Sequence, residues 1–211
     1  MPFASPVPLK PTERVMVFID GGYLRDTYRK LFGDDNIDYG ELLKGLIVLY
    51  EKIPENPFRA DIIRAYYYDA ICSKKESEYD VQVRYFKSVT KYFRYSMRLG
   101  HLVQTVKGEK KRFRQKGVDT LMAIDALTKA YLNHYDTGIF LLADRDFIPL
   151  IEAVKNTGKK TVGFFHGNET SPNVIQTKVP QRLMRVFDWR VALPEKTLRL
   201  FRHTEKNPTT P

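Results

Sequence analysis

The sequence predicts an α/β protein, a three-layer α/β/α sandwich with a mainly parallel sheet. Apolar, β-branched runs of strand length alternate with amphipathic segments of helix length, which is typical of βαβ units. Two segments stand out, VMVFIDGGYL at 15–24 and GIFLLADRDF at 138–147. In each of them the apolar run ends abruptly at aspartate. A buried parallel strand that ends in acids brings them to the carboxyl edge of the sheet, where open α/β folds bind ligands.

The elements of the first half are predicted from apolar periodicity and from capping residues. Asp38 is placed to cap the second helix, and Gly100 is placed to end the third. The acid Asp69 follows the second strand directly. In chain order, the predicted elements are a strand at 14–19, a helix at 24–31, a helix at 39–52, a strand at 62–68, a helix at 78–99 and a strand at 101–106.

The second half continues the alternation of helices and strands. The polar stretch KGEKKRFRQKG at 107–117 is predicted to be an exposed loop or hairpin, and Ser171-Pro172 is a favourable helix start. The residues from about His203 onward are predicted to be disordered. The remaining predicted elements are a helix at 118–134, a strand at 139–142, a helix at 147–156 and a strand at 161–165.

Length and composition predict one soluble domain at 14–190, with an N-terminal extension at 1–13 and a C-terminal tail at 191–211. Cys72 is the only cysteine, which excludes an intramolecular disulfide and indicates a reducing, cytoplasmic location. The four histidines lack the spacing of a zinc site. No apolar run approaches the roughly 20 residues of a membrane span. A homodimer stays an alternative to a monomer, since aromatic residues serve interfaces as well as cores.

A basic insert at 81–116 carries eleven Lys and Arg residues and one acid, Glu109, and so accounts for the whole net charge of +10. Arg84, Lys87, Lys91, Arg94 and Arg98 recur at spacings of three and four, which would line them along one helix face. A solvated face usually mixes signs, so this one indicates a polyanion such as RNA. The predicted phosphate-binding residues are Arg84, Lys87, Lys91, Arg94, Lys111, Arg112, Arg114, Lys116 and Arg145.

Asp20, Asp144 and Asp146 are the acids at the two strand ends. Three carboxylates at one edge would repel each other by several kcal/mol at an effective dielectric near ~20. A divalent cation relieves that repulsion, and an all-oxygen ligand set favours Mg²⁺ or Mn²⁺. The alternative for each acid is an ordinary helix N-cap.

The segment KGVDTLMAID at 116–125 adds two acids to a predicted helix. Asp119 lies in the first turn, and Asp125 lies on the arc that faces the sheet. Six residues span ~9 Å along a helix, so the two acids do not chelate one ion side by side. We expect Asp119 to bind the metal and Asp125 to support the metal-binding residues without contacting the metal itself.

These motifs resemble the NYN domain, in the LabA-like branch of the PIN-like nucleases. The resemblance covers about residues 14–166 and rests on FIDGGYL, KGVDTLMAID and LLADRDFIPLIEAVKNTGKKTVGFF, in that order. SPNVIQTKVPQRLMRVFDW is weakly similar to the closing helix and strand of the family. The resemblance implies a PIN-like fold and a metal-dependent ribonuclease. Carried over by motif, the catalytic, metal-binding acids are Asp20, Asp119, Asp144 and Asp146.

Two residues depart from the family pattern. Tyr23 stands where the family usually has Asn, and Arg145 stands where it usually has a small residue between the last two acids. The Arg145 guanidinium would either bind a phosphate or pair with an acid in the place of the metal. The main alternative function is therefore an RNA-binding or regulatory module that kept the acids and lost turnover. A Toprim-type nuclease fits less well, because it needs glutamate where this chain has Asp20.

Overall fold

The described residues form a central sheet of seven strands and a separate two-stranded hairpin. The computed structural model describes residues 10–74, 76–92, 94–107, 110–171 and 174–203, without the side chains of 104–114 and 171. The strands are β1 Thr12–Asp20, β2 Arg59–Ile71, β3 Tyr95–Lys107, β4 Lys110–Lys116, β5 Thr137–Leu141, β6 Lys160–His166, β7 Asn168–Ser171, β8 Val174–Gln176 and β9 Trp189–Leu193. The order in the large sheet is β4-β3-β2-β1-β5-β6-β9, and only the β3–β4 pair among these is antiparallel.

Helices cover both faces of the large sheet. The described helices are α1 Gly21–Phe32, α2 Tyr39–Glu51, α3 Tyr79–Thr90, α4 Val118–Tyr131, α5 Ile148–Asn156, α6 Gln181–Val186, α7 Glu195–Leu200 and a 3₁₀ helix at Arg145–Phe147. Helices α1, α2, α3 and α7 pack on one face, and α4, α5 and α6 pack on the other. The protein is thus a three-layer α/β/α sandwich with a mainly parallel sheet, as predicted. Within the described part of the chain, no helix has the length and apolar character needed to cross a bilayer.

Strand β1 is the centre of both cores. Its side chains alternate between the two faces: Val15, Val17 and Ile19 enter one core, whereas Met16 and Phe18 enter the other. All five are buried. Burial on both faces explains why the strand reads as an unbroken apolar run rather than as an alternating one.

The order of the strands creates a crevice beside β1. From β1 the chain moves through β2 to β3 on one side, and it later returns to β5 on the other side. Helix α1 after β1 and helix α4 before β5 lie on opposite faces of the sheet. Such a reversal is the topological switch point at which open α/β sheets bind ligands, outside the carboxyl ends of the strands.

The predicted helix at 78–99 is wrong beyond residue 90. Helix α3 ends at Thr90, Arg94 takes a left-handed backbone conformation with φ of 72°, and β3 begins at Tyr95. Arg94 and Arg98 therefore do not continue the helix face of Arg84, and Gly100 is a buried residue of β3 rather than a helix cap. Tyr95, Met97 and Leu99 of early β3 alternate with a period of two. Residues four apart, such as Tyr95 and Leu99, share a face in a strand and in a helix alike, so their spacing does not separate the two.

The C-terminal third also differs from the prediction. No helix starts at Ser171, which ends β7, and Pro172 lies outside the described residues; the following helix, α6, starts after Pro180. The predicted tail at 191–211 includes part of β9, and Phe201 beyond it is buried in the core. The predictions for 1–9 and for the chain after His203 fall outside the described residues.

Candidate active site

The carboxyl ends of β1 and β5 deliver acids to the crevice at the switch point. Asp20 ends β1, and its carboxylate accepts a hydrogen bond from the Tyr23 main-chain N–H at 3.0 Å. Asp144 follows β5, and its carboxylate accepts from the Asp146 N–H at 2.9 Å. Each strand-end acid therefore caps a helix, α1 and the 3₁₀ helix respectively. The capping interpretation is thus confirmed for Asp20 and Asp144, and it leaves the site interpretation open.

Two glycines make room for the acid at the end of β1. A Cβ on Gly21 would lie 2.4 Å from the ring of Tyr67. A Cβ on Gly22 would lie 2.9 Å from Nε2 of Gln115 and 3.2 Å from Oδ1 of Asp20. The first glycine thus lets α1 start directly above a buried tyrosine. The second lets the side chain of Gln115, from β4, lie against the first turn of α1.

A cavity of about 880 Å³ opens at this edge of the sheet. It brings together the four acids that the sequence singles out, from β1, from the first turn of α4 and from the 3₁₀ helix. Asp119, Asp144 and Asp146 are exposed, and Asp20 is half-buried. The full lining is Asp20, Gly22, Tyr23, Asp26, Gln115, Asp119, Ala143, Asp144, Arg145, Asp146 and Pro180.

Burial and neighbouring negative charges raise the pKa values of Asp20 and Asp119. Burial raises the pKa of Asp20 to about 6, the negative charges of Asp119 and Asp69 add to the rise, and the Tyr23 hydrogen bond opposes it. The pKa of Asp119 is also raised, first by burial and then by the charges of Asp144 and Asp146. All four acids are therefore linked by repulsion in the absence of a cation.

The donor chemistry of this cavity fits a hard divalent cation. The lining offers carboxylate and amide oxygens, and neither His nor Cys, which matches Mg²⁺ or Mn²⁺ better than Zn²⁺. Within the described residues, no three His, Cys, Asp or Glu side chains stand close enough to hold a metal ion together. The acids thus share one cavity without forming a closed ligand cage.

A buried ion pair lies beneath the cavity, and its role was not predicted. The Asp69 carboxylate, which is fully buried, accepts from Arg25 at 2.8 Å, from the Tyr67 hydroxyl at 3.3 Å and from the Gln115 amide at 3.4 Å. Burial raises the pKa of Asp69, and the charge of Arg25 opposes that rise. Gln115 also lines the cavity, so the ion pair connects β2 and α1 to the base of the β3–β4 hairpin. The sequence shows only that an acid ends the second strand.

Asp125 lies away from the four acids. Its carboxylate accepts from Arg98 at 2.8 Å, from Lys129 at 2.6 Å and from the Tyr68 hydroxyl at 3.2 Å. Burial opposes its ionisation, but the hydrogen bonds from Lys129 and Arg98 outweigh this effect and lower its pKa. Asp125 is absent from the cavity lining, and it ties α4 to β3.

Tyr23 and Arg145, the two departures from the family pattern, both line the cavity. The Tyr23 hydroxyl accepts from the His166 main-chain N–H at 3.0 Å, and burial raises its pKa to about 12. Arg145 is exposed, and no acid among the described residues lies within ion-pair distance of its guanidinium. Pairing with an acid, one of the two roles considered for Arg145, is therefore not seen among the described residues.

The structure divides the basic insert between two edges of the sheet. Arg84, Lys87 and Lys91 are exposed, but α3 connects parallel strands and so runs back toward the amino edge. Arg94 lies at that edge, where it pairs with Asp61 at 3.4 Å near the start of β2. These residues therefore do not form one track that leads to the acids.

The hairpin of β3 and β4 lies at the same edge as the acids. The pairing of β2 with β3 ends at Ile71 and His101, whereas β3 and β4 stay paired from there to Lys107 and Lys110. This hairpin extends past the carboxyl end of β2. Of the loop or hairpin predicted for 107–117, the structure shows the hairpin. It carries the backbone of Lys111, Arg112 and Arg114, whose side chains lie outside the described part, and ends at the exposed Lys116.

Comparison with known families matches residues 14–181 to the NYN domain. No curated protein matches the chain. A solved structure from Vibrio parahaemolyticus, of the protein of unknown function VPA0982, is similar, with a TM-score of 0.55 and 17% identity over 93% of this chain and 100% of that one. This likeness shows a shared fold alone. A second structure, of Sa239, is less similar, with a TM-score of 0.33 and 13% identity over 92% of this chain and 65% of that one.

Proposed function

The chain belongs to the NYN domain family of the PIN-like nuclease superfamily, and on this premise we propose that it is a metal-dependent ribonuclease. One observation carries the proposal. Four carboxylates from β1, α4 and the 3₁₀ helix line a single cavity at the switch point of the sheet. Burial, with a smaller contribution from the charges of neighbouring acids, raises the pKa of Asp20, and a divalent cation would offset the cost of ionising these acids together.

Asp20, Asp144 and Asp146 would hold Mg²⁺ or Mn²⁺, and Asp119 would hold a second ion or orient the attacking water. When bound, the cation supplies a Lewis acid for the phosphoryl oxygens and a more acidic water. The exposed Arg145 would place one phosphate of the strand against the acids. Phosphodiester hydrolysis then needs no redox group and no covalent cofactor.

The β3–β4 hairpin is the proposed track for the RNA backbone. Lys111, Arg112, Arg114 and Lys116 lie along β4, which leads into Asp119 at the start of α4. Contacts to phosphates give affinity that falls steeply with salt and depends little on sequence. The same chemistry fits DNA, so the preference for RNA rests on the family resemblance. The LabA-like branch, the cytoplasmic location and a homodimer stay predictions.

The proposal is tested by cleavage of a labelled single-stranded RNA under single-turnover conditions. With Mn²⁺ or Mg²⁺ we expect cleavage that EDTA abolishes. Asp144→Asn should lower the rate at least about 100-fold, because it removes a carboxylate from the metal set while keeping an oxygen for the Asp146 N–H. Asp61→Asn is the matched control, because Asp61 is exposed near the start of β2. Equal rates for the two variants would contradict the proposed site, and equal cleavage of DNA would contradict the ribonuclease assignment.

The alternative, an RNA-binding module without turnover, is favoured by one observation. No three acids among the described residues are poised to hold one ion. This alternative predicts that the protein binds RNA with a steep salt dependence and leaves it intact with every metal. Binding without cleavage would therefore decide for the module.

A further inference from the structure

A second cavity, of about 680 Å³, adjoins the acid cavity. It lies between α1 and the loop segments that surround the β7–β8 hairpin. The two cavities share Tyr23, Asp26 and Ala143 as a common wall. Its size is in the range of pockets that take small organic ligands.

Tyr23 makes hydrogen bonds to residues of both cavities. Its main-chain N–H holds the Asp20 carboxylate in the first cavity at 3.0 Å. Its hydroxyl accepts from the main-chain N–H of His166, which lines the second cavity, at 3.0 Å. A ligand that contacts the wall at Tyr23 is therefore in contact with the residue that positions an acid of the first cavity.

The lining of the second cavity combines an apolar wall with uncommitted amides. Leu31, Val179 and Tyr23 are the large apolar or aromatic residues of the lining. The side chains of Asn168 and Gln176 lie opposite each other in the β7–β8 hairpin. Within the described part of the chain they are exposed and make no hydrogen bond or ion pair. Each amide offers both a donor and an acceptor to a ligand.

We propose that this second cavity is a nucleobase subsite, which takes the unpaired base of the nucleotide beside the phosphate held at the acids. A base is a flat apolar ring with donors and acceptors on its edge, and it is recognised by stacking together with amide hydrogen bonds. The inference rests on the proposed function, because that function supplies the RNA strand whose base would enter this cavity. It adds that a neighbouring base, and not only the backbone, contributes to affinity.

The ligand set separates recognition of the base from recognition of the phosphate. A nucleoside 5′-monophosphate and ribose 5-phosphate differ only in the base. With Ca²⁺ present, we expect the monophosphate to shift the backbone amide NMR signals of Gly167, Asn168 and Gln176, and ribose 5-phosphate to leave them in place. Equal shifts with both ligands, or no shift with either, would overturn the subsite.

A double variant tests the amides. Asn168→Ala with Gln176→Ala should weaken binding of the monophosphate about tenfold, the loss expected when one or two hydrogen bonds to the base edge are removed. Asn156→Ala is the matched control, because this exposed amide ends α5 outside both cavities. Unchanged affinity in the double variant would contradict the proposed contacts.

A short single-stranded RNA distinguishes a strand subsite from a site for free nucleotides. We expect the RNA to shift the same amide signals as the monophosphate does. If only the free monophosphate shifts them, the cavity is not part of a strand-binding site and the inference fails. None of these measurements depends on cleavage, so they stand or fall separately from the proposed ribonuclease activity.

Discussion

Replacement of Asp20 by asparagine should make the metal-free protein more stable at neutral pH. Burial and the neighbouring acids raise the pKa of Asp20 from its usual 3.8 to about 6. That difference corresponds to on the order of 3 kcal/mol against the ionised form in the folded state. Asparagine keeps an oxygen that accepts from the Tyr23 N–H and removes the charge, so Asp20→Asn recovers up to that amount.

The pH dependence of this effect follows from the direction of the shift. When the pKa of a carboxyl group is higher in the folded than in the unfolded protein, the free energy of unfolding decreases as the pH rises from the unfolded pKa to the folded pKa. The gain from Asp20→Asn should therefore be absent near pH 4, grow up to about pH 6 and stay constant above it. For a chain of this size, each kcal/mol moves the melting temperature by roughly 2–4 °C.

Thermal and urea unfolding in EDTA at pH 4.5, 6 and 7.5 would measure the effect. Asp61→Asn is the control, since it removes an exposed acid with a single 3.4 Å ion pair, and its effect should stay below about 1 kcal/mol. Mn²⁺ should then stabilise the wild-type protein and have little effect on Asp20→Asn. A variant that is less stable than the wild type at pH 7.5, or a gain that does not vary with pH, would refute the electrostatic reasoning.

Three further predictions concern the surroundings of the cavity. Arg114→Ala should weaken RNA binding and lower the slope of log affinity against log salt by about 1, whereas Lys87→Ala on α3 should change neither; equal effects in fluorescence anisotropy would contradict the hairpin track. Arg25→Met leaves Asp69 buried without its cation and should cost about 3 kcal/mol in urea unfolding at pH 7.5. Burial raises the pKa of Asp69, and loss of Arg25 should raise it further, so the cost should fall as the pH is lowered and Asp69 takes up a proton. A cost independent of pH would contradict this reasoning. Tyr23→Phe removes one hydrogen bond to the β6 main chain and should cost about 1 kcal/mol, and an unchanged stability would show that this bond contributes nothing.

The parallel sandwich and the four acids were predictable because their causes are local. A buried parallel strand leaves a continuous apolar run, and the acid that follows it is visible in the sequence at Asp20 and Asp144. The capping role of Asp38 was predictable for the same reason, since its carboxylate accepts from two N–H groups in the next turn. Local patterns of this kind can be recognised in the sequence without any knowledge of tertiary packing.

The rest of the site depends on contacts that are distant in sequence. Asp69 meets Arg25 across 44 residues, and Gln115 arrives from β4, so neither contact leaves a pattern in the chain. The helix predicted through Arg94 was wrong beyond residue 90 because residues four apart share a face both in a helix and in a strand. The left-handed residue between α3 and β3 is Arg94 rather than a glycine, so the sequence gives no sign of the turn.

Anomalous scattering from Mn²⁺ in crystals of the protein would test the metal site most directly. The proposed function predicts a manganese peak in the first cavity, within about 2.5 Å of oxygens of Asp20 and Asp144 or Asp146. It also predicts that the Arg145 guanidinium points away from the ion and toward solvent or a bound phosphate. A cavity that stays without manganese at saturating concentration, with Arg145 paired to an acid inside it, would contradict the account.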